Sequence, residues 1–161
     1  MTKRLGQLAT GVLVLGLSLW LVFLRPGALG GPGAYVVVEG TSMLPSIHGG
    51  DLVVARASDA YRIGDVVAYH IPGTGVGAGR LVIHRIVGGS AAQGYLVKGD
   101  NRTRPDQWRP KPADIEGRAL AVAPRVGSAL VVLRSPLGLA SLAGLLTLLL
   151  FAGGPRRPQP A

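Results

Sequence analysis

Leu81-Val82-Ile83-His84-Arg85-Ile86-Val87 is the stretch on which the fold turns. It is a short β-type run with a period of two. That period sets Val82, His84 and Ile86 on one face and Leu81, Ile83, Arg85 and Val87 on the other. The same kind of run recurs on both sides: Tyr35–Glu39, Asp51–Ala55, Asp65–Tyr69, Tyr95–Lys98 and Arg118–Ala123. Glycine turns separate the runs, and Gly50-Asp51 and Gly64-Asp65 open two of them in the same way. Pro72 to Arg80 carries four glycines and reads as a mobile hairpin loop. No helical period intervenes, so the middle of the chain is predicted to be mainly β: a small antiparallel sheet or barrel-like domain over residues 34–125.

The flanks are different. Leu5 to Leu24 is uncharged for 20 residues, follows Lys3 and Arg4, and ends at Arg25-Pro26. That length suits a transmembrane helix over 5–24. A cleavable signal peptide is the alternative, with Ala28-Leu29-Gly30 as a weak cleavage site. Arg25 to Gly33 reads as a glycine- and proline-rich tether. Pro136 to Gly153 is uncharged and leucine-rich, with Ser135-Pro136 as its N-cap and first turn. It is read as a second span over 136–153, with an interfacial or core helix as the alternative. Lys3, Arg4, Arg156 and Arg157 flank the outer ends of the two segments. The positive-inside rule then places both termini in the cytoplasm and the β domain outside a plasma membrane.

Composition narrows the chemistry. The 161 residues hold no cysteine, so disulfides, a thiolate metal site and a cysteine nucleophile are all excluded. The net charge is +9, with the basic residues scattered rather than clustered. With few aromatics and no nucleic-acid motif, anionic lipid is the better partner than nucleic acid. Three histidines remain to be weighed. His48 sits in a His-Gly-Gly-Asp turn and His70 ends a strand, and both read as bland. His84 lies on an apolar strand face and must find a polar partner, whether as a core histidine or as a base.

Ser42 lies in Glu39-Gly40-Thr41-Ser42-Met43-Leu44-Pro45-Ser46. Gly40 lets the chain turn sharply and Pro45 fixes it afterwards. The serine is then exposed and rigidly held, as a nucleophile is, although loop serines share that pattern. Asp100 follows Gly99 in a turn, and Asp106 precedes Gln107-Trp108 in an arginine-rich segment. Either aspartate is available to a Ser-His-Asp triad. Their ordinary readings are an Asx-turn for Asp100 and a surface ion pair for Asp106.

Taken in order, these segments resemble type I signal peptidases, in the branch of endoplasmic-reticulum, archaeal and sporulation-type enzymes. The resemblance covers about residues 34–123. Ser42-Met43-Leu44-Pro45 matches the nucleophile box, and Gly49-Gly50-Asp51-Leu52-Val53 and Arg62-Ile63-Gly64-Asp65-Val66-Val67 match the segments that follow. Val82-Ile83-His84-Arg85 matches the box of the general base, with histidine where the common bacterial enzymes carry lysine. Gly99-Asp100-Asn101 matches the next box, and Asp106 falls at the charge-relay position. The resemblance implies a serine endopeptidase with Ser42 as nucleophile, His84 as general base and Asp106, or else Asp100, as its carboxylate. It further implies preprotein substrates bearing signal peptides, association with translocation machinery, and no cofactor or metal. Gly40 departs from members with a side-chain hydroxyl there, which leaves the oxyanion donors to the Ser42 backbone N–H and the Thr41 hydroxyl.

Two rivals stand beside this reading: a related protease with one dedicated client, and a non-catalytic β domain that binds exported chains. A repressor-type self-cleaving protease is disfavoured by the two apolar flanks and the lack of a DNA-binding helix pair.

Overall fold

The computed structural model describes residues 2–23, 25–27 and 30–152. Helix α1 covers Thr2–Phe23. Six strands follow: β1 Gly33–Val37, β2 Leu52–Arg56, β3 Val66–His70, β4 Leu81–Ser90, β5 Gly94–Lys98 and β6 Ile115–Ala123. Helices α2, Val126–Arg134, and α3, Pro136–Ala152, close the chain. All six strands named from the sequence are present, with shifts of one to three residues at most ends.

The strands form one antiparallel sheet in the order β1-β2-β6-β3-β4-β5. The sheet is open, with β1 and β5 as its edges, and it does not close into a barrel. Its two faces carry separate cores. Ala34, Met43, Val53, Ala68 and Ile83 pack on one face, and Val67, Tyr69, Ile86, Val97 and Ile115 on the other. Strand β3 feeds both, because Val67 and Tyr69 point one way and Ala68 the other. A strand buried on both faces needs apolar residues at every position, which explains the unbroken run Val66-Val67-Ala68-Tyr69. On β4 the alternation read from the sequence is present, since Val82 and Ile86 share a core while Ile83 joins the opposite one.

Helix α2 is an element that the sequence reading leaves out. Its first turn lacks the usual start signal: the cap residue is Arg125, with a left-handed backbone at φ 61 and no side-chain cap. The cap comes from elsewhere in the fold. Asp51 Oδ1 accepts the Arg125 N–H at 3.0 Å, and the Gly50 carbonyl accepts the Ser128 N–H at 2.9 Å. Asp51 is buried, and its other oxygen accepts the His48 N–H at 2.9 Å. These backbone donors hold its carboxyl below the ordinary carboxylate range, that of His48 first and that of Arg125 second. Asp51 therefore closes the turn into β2 and caps α2 at once.

Ser135 separates α2 from α3. Its hydroxyl donates to the Val132 carbonyl at 2.6 Å and accepts the Gly138 N–H at 3.1 Å, so it serves the end of one helix and the start of the next. At the other flank, Trp20 Nε1–H donates to the Tyr35 hydroxyl at 2.7 Å and ties α1 to β1.

The spans expected at 5–24 and 136–153 coincide with helices α1 and α3. Among the described residues, however, no single helix is long and apolar enough to cross a membrane. Val126–Arg134 and Pro136–Leu148 reach that length and composition only as a pair, bent by 80°. Leu24, Ala28, Leu29, Gly153, Arg156 and Arg157, on which parts of the span, cleavage-site and topology readings fall, lie outside the described residues.

Candidate active site

Three segments meet at the wall of a cleft. The first is the turn after β1. Gly40 has a φ of +82°, a conformation that favours glycine, and it swings the chain away from the sheet. Met43 and Ile47 then insert into the core and leave Ser42 half-buried between them and the cleft. The second is β4, which carries His84. The third is the Gly99-Asp100-Asn101 turn with the segment that runs on to Asp106.

The turn after β5 holds the Ser42 backbone directly. Asn101 N–H donates to the Ser42 carbonyl at 2.8 Å, and the Asn101 amide donates to the Thr41 carbonyl at 3.2 Å. Gly99 has to be glycine for this approach. A Cβ there would lie 2.6 Å from the Ser42 carbonyl oxygen and 3.0 Å from His84 Nε2.

His84 is 6% exposed, and both ring nitrogens are engaged. Nε2 lies 3.1 Å from Ser42 Oγ and Nδ1 lies 2.5 Å from Asp106 Oδ2. The carboxylate selects the tautomer: Nδ1–H donates to Asp106, which leaves Nε2 free to accept the Ser42 hydroxyl proton. Asp106 is not the surface ion pair that its arginine-rich surroundings suggest. Its side chain is 12% exposed and also accepts the Tyr69 hydroxyl at 3.0 Å. Its backbone N–H is held by the Val97 carbonyl at 2.9 Å.

Tyr69 is a residue that sequence reasoning misses. It is fully buried, and burial above all, then the Asp106 charge and hydrogen bond, pushes its phenol well above the ordinary range. It therefore stays a neutral donor to Asp106. The signal was in the register. Tyr69 pairs with Val82 and Val67 with His84, so Tyr69 and His84 are diagonal neighbours on one face. Their ring centroids are 6.5 Å apart. A buried tyrosine on that face needs a partner for its hydroxyl.

Asp100 does not reach His84. Arg85, on the opposite face of β4, binds it with two parallel bonds, Nε to Oδ1 at 2.8 Å and Nη2 to Oδ2 at 2.6 Å. Arg85 Nη1 also donates to the Gly64 carbonyl at 2.9 Å. Arg85 first, with help from the Ser46 hydroxyl, holds the Asp100 carboxyl below its ordinary range. Asp100 thus fixes the turn that carries Gly99 and Asn101 to Ser42.

The cleft beside Ser42 has a volume of about 730 Å³. Tyr35 to Glu39 line one wall, and Leu81 to His84 line the other, with Arg80, Arg102 and Trp108 also in the lining. Both walls are open strand edges. Beyond the bridge from Gly33 to Pro26, strand β1 pairs with β2 alone among the described residues, and the β4–β5 pairing begins at Arg85↔Lys98, leaving Leu81 to His84 bonded on the β3 side alone.

His70 is less bland than its sequence suggests. Nε2 meets Glu116 at 2.8 Å and Nδ1 meets the Gly79 carbonyl at 2.9 Å, so the ring clasps the glycine-rich loop whose ends, Ile71 and Arg80, border the cleft. A neutral imidazole has one N–H and serves one of these acceptors, whereas the imidazolium serves both. Glu116 first and the Gly79 carbonyl second raise its pKa above the ordinary value. The clasp is therefore complete below about pH 6.5 and is lost as the pH rises through the raised value. Hydrogen exchange at Gly73 to Gly79, corrected for intrinsic rates, should be slower at pH 6 than at pH 8.5, and His70→Phe should erase the difference. A loop equally protected at both pH values in the parent chain would rule the clasp out.

The sequence model of the family described as Peptidase S24-like matches residues 23–120, which include every side chain of this site. The chain is also 29% identical over 141 residues to the signal peptidase complex catalytic subunit sec11 of Pyrenophora teres f. teres (strain 0-1), covering 79% of this chain and 81% of that protein. From its sequence, its fold and these matches, the chain belongs to the Peptidase S24-like family and is type I signal peptidase-like.

Proposed function

We propose that the chain is a membrane-bound serine endopeptidase that removes signal peptides from translocated preproteins. The observation that carries this reading is the continuous line Ser42 Oγ, His84 Nε2, His84 Nδ1, Asp106 Oδ2, with contacts of 3.1 and 2.5 Å.

The chemistry follows from that line. Neutral His84 accepts the Ser42 proton as Oγ attacks the scissile carbonyl carbon. Asp106 stays ionised, holds the ring and stabilises the imidazolium. Tyr69, a neutral donor to the same oxygen, keeps that carboxylate in place. The Ser42 backbone N–H, with the Thr41 hydroxyl beside it, is the proposed oxyanion donor, and such a donor is typically worth ~3–4 kcal/mol. His84 then returns its proton to the departing amine and leaves an ester on Ser42. Water, deprotonated by His84, releases the acyl group and restores the serine.

The two open edges suit an extended substrate. A strand laid between Tyr35–Glu39 and Leu81–His84 would pair through its backbone with one or both walls and run past Ser42. Backbone pairing tolerates many sequences, as a general processing enzyme requires.

Membrane anchoring is supported by uncovered apolar side chains. Val12 and Leu13 on α1 are each 72% exposed, and Leu137 and Leu148 on α3 are 78% and 67% exposed. On this reading α1 is a span and the α2–α3 pair forms a second, bent one. Both termini are cytoplasmic, the β domain lies on the outer face of the plasma membrane, and the translocation machinery is a neighbour.

Two measurements test the proposal. Purified full chain should cut a model preprotein after small residues, as read by mass spectrometry of the products. Protease added to intact cells should reach a tag inserted between Gly73 and Gly79. A chain that binds preproteins without cutting any would be the non-catalytic rival, and a protected tag would reverse the topology.

A further inference from the structure

Away from the cleft, β2 and β6 set two arginines directly against each other: Arg56 is the register partner of Arg118. Like charges in that position are destabilising on their own. Arg118 has partial compensation from Asp65, 3.7 Å away. Arg56 has no carboxylate within ion-pair reach among the described residues; its guanidinium instead sits 5.5 Å over the ring of Phe23, at the end of α1. Both arginines line a second hollow of about 520 Å³, together with Pro32, Ser58, Leu120 and the exposed Asp59. Leu120 follows Arg118 by two residues, lines the same hollow and is 50% exposed.

We infer that this hollow binds the phosphate of an anionic membrane lipid. Such a site requires α1 to be embedded in a bilayer, as proposed above. Phe23 is the last residue of α1, so the apolar helix ends beneath Arg56. A guanidinium pair with one uncompensated charge takes a phosphodiester through several N–H donors at once. Leu120 and Phe23 give the acyl chains an apolar surface beside it. Free phosphate shares the headgroup chemistry but has no use for that surface, which favours a lipid.

The test uses full chain in detergent, titrated with short-chain phosphatidylglycerol, short-chain phosphatidylcholine or inorganic phosphate, with bound molecules counted by native mass spectrometry. Phosphatidylglycerol should bind roughly tenfold or more tightly than phosphatidylcholine, since both arginines face its phosphate and its net charge. Arg56→Gln with Arg118→Gln should abolish that preference. Arg56→Gln alone, which keeps the Arg118–Asp65 pair, should weaken it and preserve the fold. Arg104→Gln, a charge change elsewhere on the surface, should leave it intact. Equal binding of the two lipids, or a double variant that keeps the preference, overturns the site. Inorganic phosphate binding as tightly as phosphatidylglycerol also overturns a lipid site. Alkaline carbonate extraction separates the lipid site from the anchoring. A chain that stays in the membrane but ignores headgroup charge refutes the lipid site alone, and a chain that is extracted refutes the anchoring with it.

Discussion

Ser42→Ala should lower preprotein cleavage by about a millionfold, as removal of a triad nucleophile does, while leaving the domain folded. The loss is large because every proposed step passes through an ester on Oγ. His84 and Asp106 have no other acceptor for the acyl group. The fold should survive because Ser42 is held by its backbone. The Asn101 bond goes to the Ser42 carbonyl, and the neighbouring anchors are Met43 and Ile47, buried at 2% and 3% exposure. The measurements are cleavage under saturating enzyme and a thermal melt by circular dichroism. Turnover above a percent of the parent rate, in a preparation free of other proteases, would take Ser42 out of the chemistry.

The second large effect separates two aspartates in one segment. Asp106→Asn should cost about 10⁴-fold in kcat, since an amide favours the wrong imidazole tautomer and cannot stabilise the imidazolium. Asp100→Asn should leave kcat within about tenfold, because Asp100 acts on the turn and not on the ring. Its cost should fall on stability, at about 1–3 kcal/mol for a half-buried arginine left with an imperfect partner. That cost depends on pH. Arg85 holds the Asp100 carboxyl below its ordinary range, so the pair's contribution is intact above about pH 4 and fades as the pH falls through the lowered value. The melting difference between the parent and Asp100→Asn should therefore shrink in acid. Equal losses of kcat in both variants would mean that His84 works without a dedicated carboxylate.

These predictions lean unequally on the sequence. The strands were legible because each is short, apolar and bounded by glycine, and β4 carries its phase openly from Leu81 to Val87. The turn at Gly40 to Pro45 was legible for the same local reasons. The helix α2 was not, because its cap is Asp51, 74 residues earlier in the chain. The choice between Asp100 and Asp106 was likewise closed to local reading. Both follow β5, and only the direction in which β4 points Arg85 and His84 sorts them. Tyr69 was half-legible: its strand was clear, but its hydroxyl found a purpose only once β3 was registered against β4. The facing of β1 and β4 across the cleft is a property of the curled sheet, and no single segment contains it.

The hydrogen bond between Trp20 and Tyr35 carries a further implication. Trp20 stands three residues before the end of α1, about 4.5 Å along its axis. Tyr35 belongs to the cleft wall. If α1 is embedded in lipid, as proposed above, this bond ties the height of the cleft above the bilayer to the anchor. On that proposal, a client chain rooted in the same membrane would be sorted by clearance before its side chains are compared. Only bonds that emerge to that elevation would come level with Ser42, and those nearer the lipid or farther out would pass it by.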